Sequence, residues 1–175
     1  MTALASLMEN LIDILSKENE EYQKLIVLSE KKTPVLIKGD LDGLTDITEQ
    51  ENVIVSGIQG LEKQRIQIMK DIANVTNQDY ETLKLDKLIG LMESRPKERD
   101  ALRQLHDKLK QTMHDIQLIN NRNRELIKNS LEMVEFEMNL LNSMRRAPET
   151  GDYNKNAYNT GNIMGSGTKR FDSKS

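Results

Sequence analysis

The sequence predicts an all-α protein: an elongated antiparallel helical hairpin or bundle with coiled-coil packing, about four helices and a flexible C-terminal tail. Three observations predict it. Apolar residues recur every three or four positions over most of the chain. Of its 175 residues 37% are hydrophobic, only 3% aromatic and 30% charged, which suits long helices sharing a narrow seam better than a thick globular core. Only Pro34, Pro96 and Pro148 interrupt the chain, so long stretches carry no helix breaker.

In the first segment Leu4, Leu7, Leu11 and Ile14 form an apolar series. Glu18 breaks it, and Tyr22, Leu25 and Leu28 resume it, which predicts a helix of roughly 30 residues. Pro34 disfavours the helical region for Thr33, although "VLIKG" can extend the helix with a kink. Gly39 suits the residue after its end and Asp40 the cap of the next. The second segment runs Leu44, Ile47, Glu51, Ile54, Ile58, Leu61, Arg65, Ile68, Ile72, a coiled-coil seam interrupted by one acid and one base. Gly57 and Gly60 inside it either admit a close neighbouring helix or are tolerated at a cost of about 1 kcal/mol each. Thr76 with Asp79 suggests a capping box before a short helix carrying Leu83, Leu88, Ile89 and Met92. Ser94 as cap and Pro96 in the first turn start a last helix from about 95 to 146. After Arg146 the chain is rich in Gly, Asn, Ser and Thr. The expected organisation is therefore a helical domain over 1–146 and a flexible tail over 147–175. Three of the six aromatics (Tyr153, Tyr158 and Phe171) lie in that tail.

Composition narrows the function. A net charge of −3 gives neither a nucleic-acid footprint nor attraction to an anionic membrane. There is no cysteine, so no thiol chemistry. No apolar run is long enough for a transmembrane helix, and no signal peptide is evident at the N-terminus. "DLDGLTDITEQE" (40–51) has acids at several calcium-loop positions, but Leu44 and Thr45 stand where an oxygen donor and the turn glycine belong. A helix N-terminus explains it better. His106 and His114 are eight residues apart, about 12 Å along a helix and too far for one metal. No catalytic constellation, metal site or cofactor is expected.

The last helix carries the informative pattern. With residues placed at 100° intervals, Leu102, Leu105, Leu109, Met113 and Ile116 fall within about 80°. Continuing that seam reaches Asn120 and Asn123, then Ile127, Leu131, Val134, Met138 and Leu141. An asparagine in a seam lowers stability but fixes register, because it must find a partner. The alternative is that the seam splays there. Beyond Asn123, Leu126, Met133, Leu140 and Met144 form a second stripe about 100° away, extended by Phe136, and the combined sector spans roughly 220°. One intramolecular seam does not need so much apolar surface. The short third helix, a second copy of the chain, or a foreign helix would have to cover the rest. Methionine-rich surface repacks readily. The candidate protein-binding residues are therefore Leu126, Met133, Val134, Phe136, Met138, Leu140, Leu141 and Met144, with Asn120 and Asn123 as register or partner contacts.

The segments "LIKGDLDGLTDITEQENVIVSGIQGLEKQR" (36–65) and "INNRNRELIKNSLEMVEF" (119–136) resemble the FlgN family of flagellar export chaperones, over about 1–146. The resemblance implies a cytoplasmic, non-enzymatic chaperone. Its clients would be the hook–filament junction proteins FlgK and FlgL, held by their C-terminal helices and passed to the type III export apparatus. It implies a long antiparallel helical assembly with the substrate-binding part on the C-terminal helix. A structural, self-associating coiled-coil protein without a client is the alternative, and homo-oligomerisation stays open under either reading.

Overall fold

The computed structural model describes residues 3–146, and the expected tail lies outside the described residues. Four helices follow in order: α1 (Ala3–Lys38), α2 (Leu41–Val75), α3 (Leu85–Leu91) and α4 (Pro96–Arg146), with no strand among the described residues. The chain divides into two compact units, Met1–Leu131 and Glu132–Ser175, and the division falls inside α4. The hairpin, the core and the interhelical registers described next belong to the first unit.

α1 continues past Pro34 for 36 residues in all and ends where the sequence lets it. Gly39 adopts φ 67°, the left-handed conformation that costs glycine least. Its N–H donates to the Leu36 carbonyl (3.2 Å), and the Asp40 N–H donates to the Val35 carbonyl (3.1 Å), the paired bonds of a Schellman motif. Asp40 then caps α2, its carboxylate accepting from the Gly43 N–H at 3.0 Å. A Cβ on Gly43 would come within 2.5 Å of that carboxylate, so residue 43 has no room for a side chain while the cap is made. Two residues thus reverse the chain.

α1 and α2 pack antiparallel, and the charges that interrupt their seams meet one another. Glu18 of α1, buried at 3% exposure, faces Arg65 of α2 at 3.2 Å, in an orientation that forms no hydrogen bond. Glu51 of α2 is ion-paired with Lys32 of α1 and accepts from the Ser29 hydroxyl at 3.4 Å. Each acid finds its cation on the opposite helix, so the breaks in the apolar pattern act as register marks.

The main core lies toward the N-terminus of α1. Met8, Leu11 and Leu15 of α1 meet Ile72 and Ala73 of α2, Leu83, Leu88, Ile89 and Met92 in and beside α3, and Leu102 of α4. α3 is only seven residues long and forms because its two buried residues, Leu88 and Ile89, close this end of the hairpin. His106 of α4 contacts Asp86 of α3 at 3.1 Å, while His114 is exposed. The expected Thr76–Asp79 capping box does not form. Thr76 instead ends α2, its hydroxyl donating to the Ile72 carbonyl at 2.7 Å, with Asn77 at φ 52° in the position Gly39 occupies after α1. Ser94 does not cap α4 either: the Arg95 carbonyl accepts the first helical bond, from the Arg99 N–H at 3.0 Å.

A Cβ at Gly57 or Gly60 would meet nothing within 4 Å, so neither admits a close helix. Gly57→Ala and Gly60→Ala should therefore each stabilise the fold by about 1 kcal/mol, read from the urea midpoint at unchanged slope. Burial raises the Glu18 carboxyl above its ordinary value of 4.5, and Arg65 only partly opposes this. The folded state therefore binds that proton more tightly than the unfolded chain. The stability this provides is complete below about pH 4.5 and is lost as pH rises through the raised folded value. Glu18→Gln should gain in melting temperature over the parent at pH 7 and lose that advantage near pH 4; equal differences at both would contradict the assignment.

Candidate functional site on the last helix

α4 lies parallel to α1, and polar bonds fix the pairing. The Thr112 hydroxyl donates to Asn19 Oδ1 and accepts from Gln23 Nε2, both at 2.9 Å. Eleven residues on, Asn123 Nδ2 donates to the Ser29 carbonyl at 2.8 Å, and the Thr33 hydroxyl donates to Asn123 Oδ1 at 2.7 Å. Thr112 and Asn123 are buried at 3% and 4% exposure. Asn123 docks one turn before Pro34, whose ring nitrogen cannot bond the Glu30 carbonyl.

These contacts correct the expected seam. Its inward residues are Leu102, Leu105, Leu109, Thr112, Ile116, Ile119, Asn123 and Leu126, all buried or half-buried and spaced by three and four throughout. Met113, expected inward, is 38% exposed, because Thr112 holds the place through its two α1 partners. Asn120, expected in the seam beside Asn123, is exposed, and Ile119 takes the inward position: of two adjacent residues, the apolar one is the half-buried one. Asn123 does occupy the seam.

Continued at the same spacing, the seam passes through Ser130, Met133, Glu137, Leu140 and Met144. The stripe that looked like an addition is thus the seam itself, and the residues expected to continue it (Ile127, Leu131, Val134, Met138 and Leu141) form the flanking stripe. Leu126 is half-buried. Met133, Val134, Phe136, Met138, Leu140, Leu141 and Met144 are each between 49% and 67% exposed. The four bonds between α1 and α4 join residues 89 to 94 apart in sequence, so Lys38, the last residue of α1, comes level with the end of the first unit's part of α4. α3, one of the candidates to cover the second stripe, is committed to the core with Leu102.

A shallow, largely apolar cleft between α1 and α2 is lined by Lys24, Val27, Leu28, Gln50, Val53 and Ile54, with Val53 73% exposed; nothing in the sequence pattern singled it out. Among the described residues no group of three or more His, Cys, Asp or Glu is placed to hold a metal, and no helix is long and apolar enough to cross a membrane.

The class these features define is an all-α protein built on a long helical hairpin, with an exposed apolar face on its last helix. The chain belongs to the FlgN family of flagellar export chaperones: the family's model, described as FlgN protein, matches residues 1–160. It is also similar to the uncharacterized protein YvyG of Bacillus subtilis (strain 168), with 24% identity over 120 residues, 69% of this chain and 71% of that one. No solved structure matches it. The FlgN family binds flagellar hook-associated proteins and is not a family of enzymes.

Asn123→Ala strips the Thr33 hydroxyl of its acceptor in a buried site and should cost about 2 kcal/mol. Asn120→Ala should change stability by less than about 0.5 kcal/mol. Paired urea titrations compare the two, and similar costs would reject the seam as drawn.

Proposed function

We propose that this protein is a cytoplasmic export chaperone for hook–filament junction proteins of the FlgK and FlgL type. It holds their C-terminal helices on Leu126, Met133, Val134, Phe136, Met138, Leu140, Leu141 and Met144, keeps them from assembling early and aids their delivery to the type III export apparatus. Family membership supports the chaperone role. The single observation that carries the site is the apolar face of α4 from residue 127 to 144, exposed where a packed helix would be covered.

The physical mechanism is capture of an amphipathic helix on an apolar surface. A client segment that is marginal alone gains a partner for its apolar face, and its free concentration falls. Methionines at 133, 138 and 144 give the surface side chains that repack around more than one client. Binding free energy alone drives the exchange, so no nucleotide step is needed. In the rival reading, a self-associating structural protein, the same face meets a second copy.

Met133→Asp together with Leu140→Asp should abolish binding of a C-terminal FlgK or FlgL peptide while circular dichroism and melting temperature stay as in the parent, since both side chains are exposed. In a well-packed site each loss is worth about 2 kcal/mol or more, enough to remove a micromolar complex. A folded double variant that binds peptide normally rules out the site. If it also turns from oligomer to monomer in sedimentation, the rival reading is favoured.

A further inference from the structure

Glu137 stands where the spacing of the α4 seam continues, in the middle of the exposed apolar face. Its helical neighbours three and four residues away are Met133, Val134, Leu140 and Leu141, each 49–60% exposed. Its own helix offers it no cation: the nearest are Arg145, eight residues on, and Lys128, nine back, at least about 12 Å along the axis. Any chain that covers the four apolar side chains also covers this carboxylate, and a covered carboxylate without a partner is strongly disfavoured.

Elsewhere the same chain shows how it treats such groups. Glu18 sits between Ile14, Leu15 and Tyr22 and faces Arg65 of the opposite helix. Glu51 sits between Ile47, Ile54 and Val55 and pairs with Lys32 of the opposite helix. Thr112 and Asn123, the buried polar members of the α4 seam in the first unit, are likewise bonded across it. Glu137 is a seam acid of the same kind whose cation is not on this chain's helix.

We infer that Glu137 selects the client: the face is completed by a foreign amphipathic helix that carries a Lys or Arg among its apolar residues, placed opposite this carboxylate. The inference rests on the client-binding reading above and adds the charge requirement to it. A second copy of the chain fits less well. A parallel pair in register, or an antiparallel pair centred near residue 137, sets Glu137 against Glu137. An antiparallel pair that reaches Arg145 must centre on Leu141, and among the described residues it then overlaps only over 136–146.

The test uses the full chain, C-terminal fragments of the FlgK- and FlgL-type proteins of the same bacterium, and the variants Glu137→Leu and Glu137→Lys. Glu137→Leu makes the face more apolar yet leaves the client's cation unpaired. It should weaken binding by at least about tenfold, and Glu137→Lys by more. A single Lys→Glu or Arg→Glu change in the fragment should restore affinity for Glu137→Lys. If Glu137→Leu binds more tightly than the parent, no cation faces Glu137 and the inference fails, while loss of binding by the Met133→Asp, Leu140→Asp variant would leave the client site standing. Normal binding by that double variant, or no binding by the unchanged protein, overturns both. A change of oligomeric state in Glu137→Lys, seen by sedimentation, makes the occupant a second copy and also overturns the foreign client.

Discussion

A seam one side chain wide cannot hold long helices in register by apolar contact alone. Leucine meets leucine as well after a slip of seven residues as before it. What a slip cannot preserve is the pairing of polar groups inside the seam, and a buried group left unpaired costs about 1–3 kcal/mol. α1 carries these groups for the whole first unit. Glu18, Ser29 and Lys32 serve α2; Asn19, Gln23 and Thr33 serve α4. Ser29 serves both, donating its hydroxyl to Glu51 and lending its carbonyl to Asn123. Move either partner helix by one heptad and several of these bonds are lost together.

The division of labour along the first unit follows from composition. With six aromatics in 175 residues, apolar volume is scarce, and most of it is gathered where α3 joins the hairpin and α4 begins. Away from that cluster the inward residues are fewer and more of them are polar. One end is held by burial and the rest by specific bonds. Apolar side chains are thereby left over for a helix that presents them to solvent.

Much of this was legible in the sequence. The 3,4 spacing and the few prolines gave four helices with nearly the right ends, and Gly39–Asp40 announced the turn. The surplus of apolar surface after residue 126 was plain as well. What misled was the seam of α4. Met113 beside Thr112 drew the pattern one residue off, because hydropathy credits methionine and ignores a threonine whose hydroxyl is satisfied by another helix. Asn120 and Asn123 look equivalent in sequence; only the α1 carbonyl and hydroxyl waiting at Ser29 and Thr33 separate them. The Thr76 error has the same origin, since a threonine hydroxyl can start one helix or finish another and only the chain path decides. Glu137 escaped notice for a related reason. Its significance depends on which stripe is the seam, although its four apolar neighbours were there to be counted.

The turn at Gly39 and Asp40 acts as a gauge as well as a corner. It sets the reach of α1, and through the fixed offset between α1 and α4 it sets how far the first unit's own seam is covered. The length of that pairing is thus written in a two-residue bend some ninety positions earlier in the chain than the α4 residues it reaches.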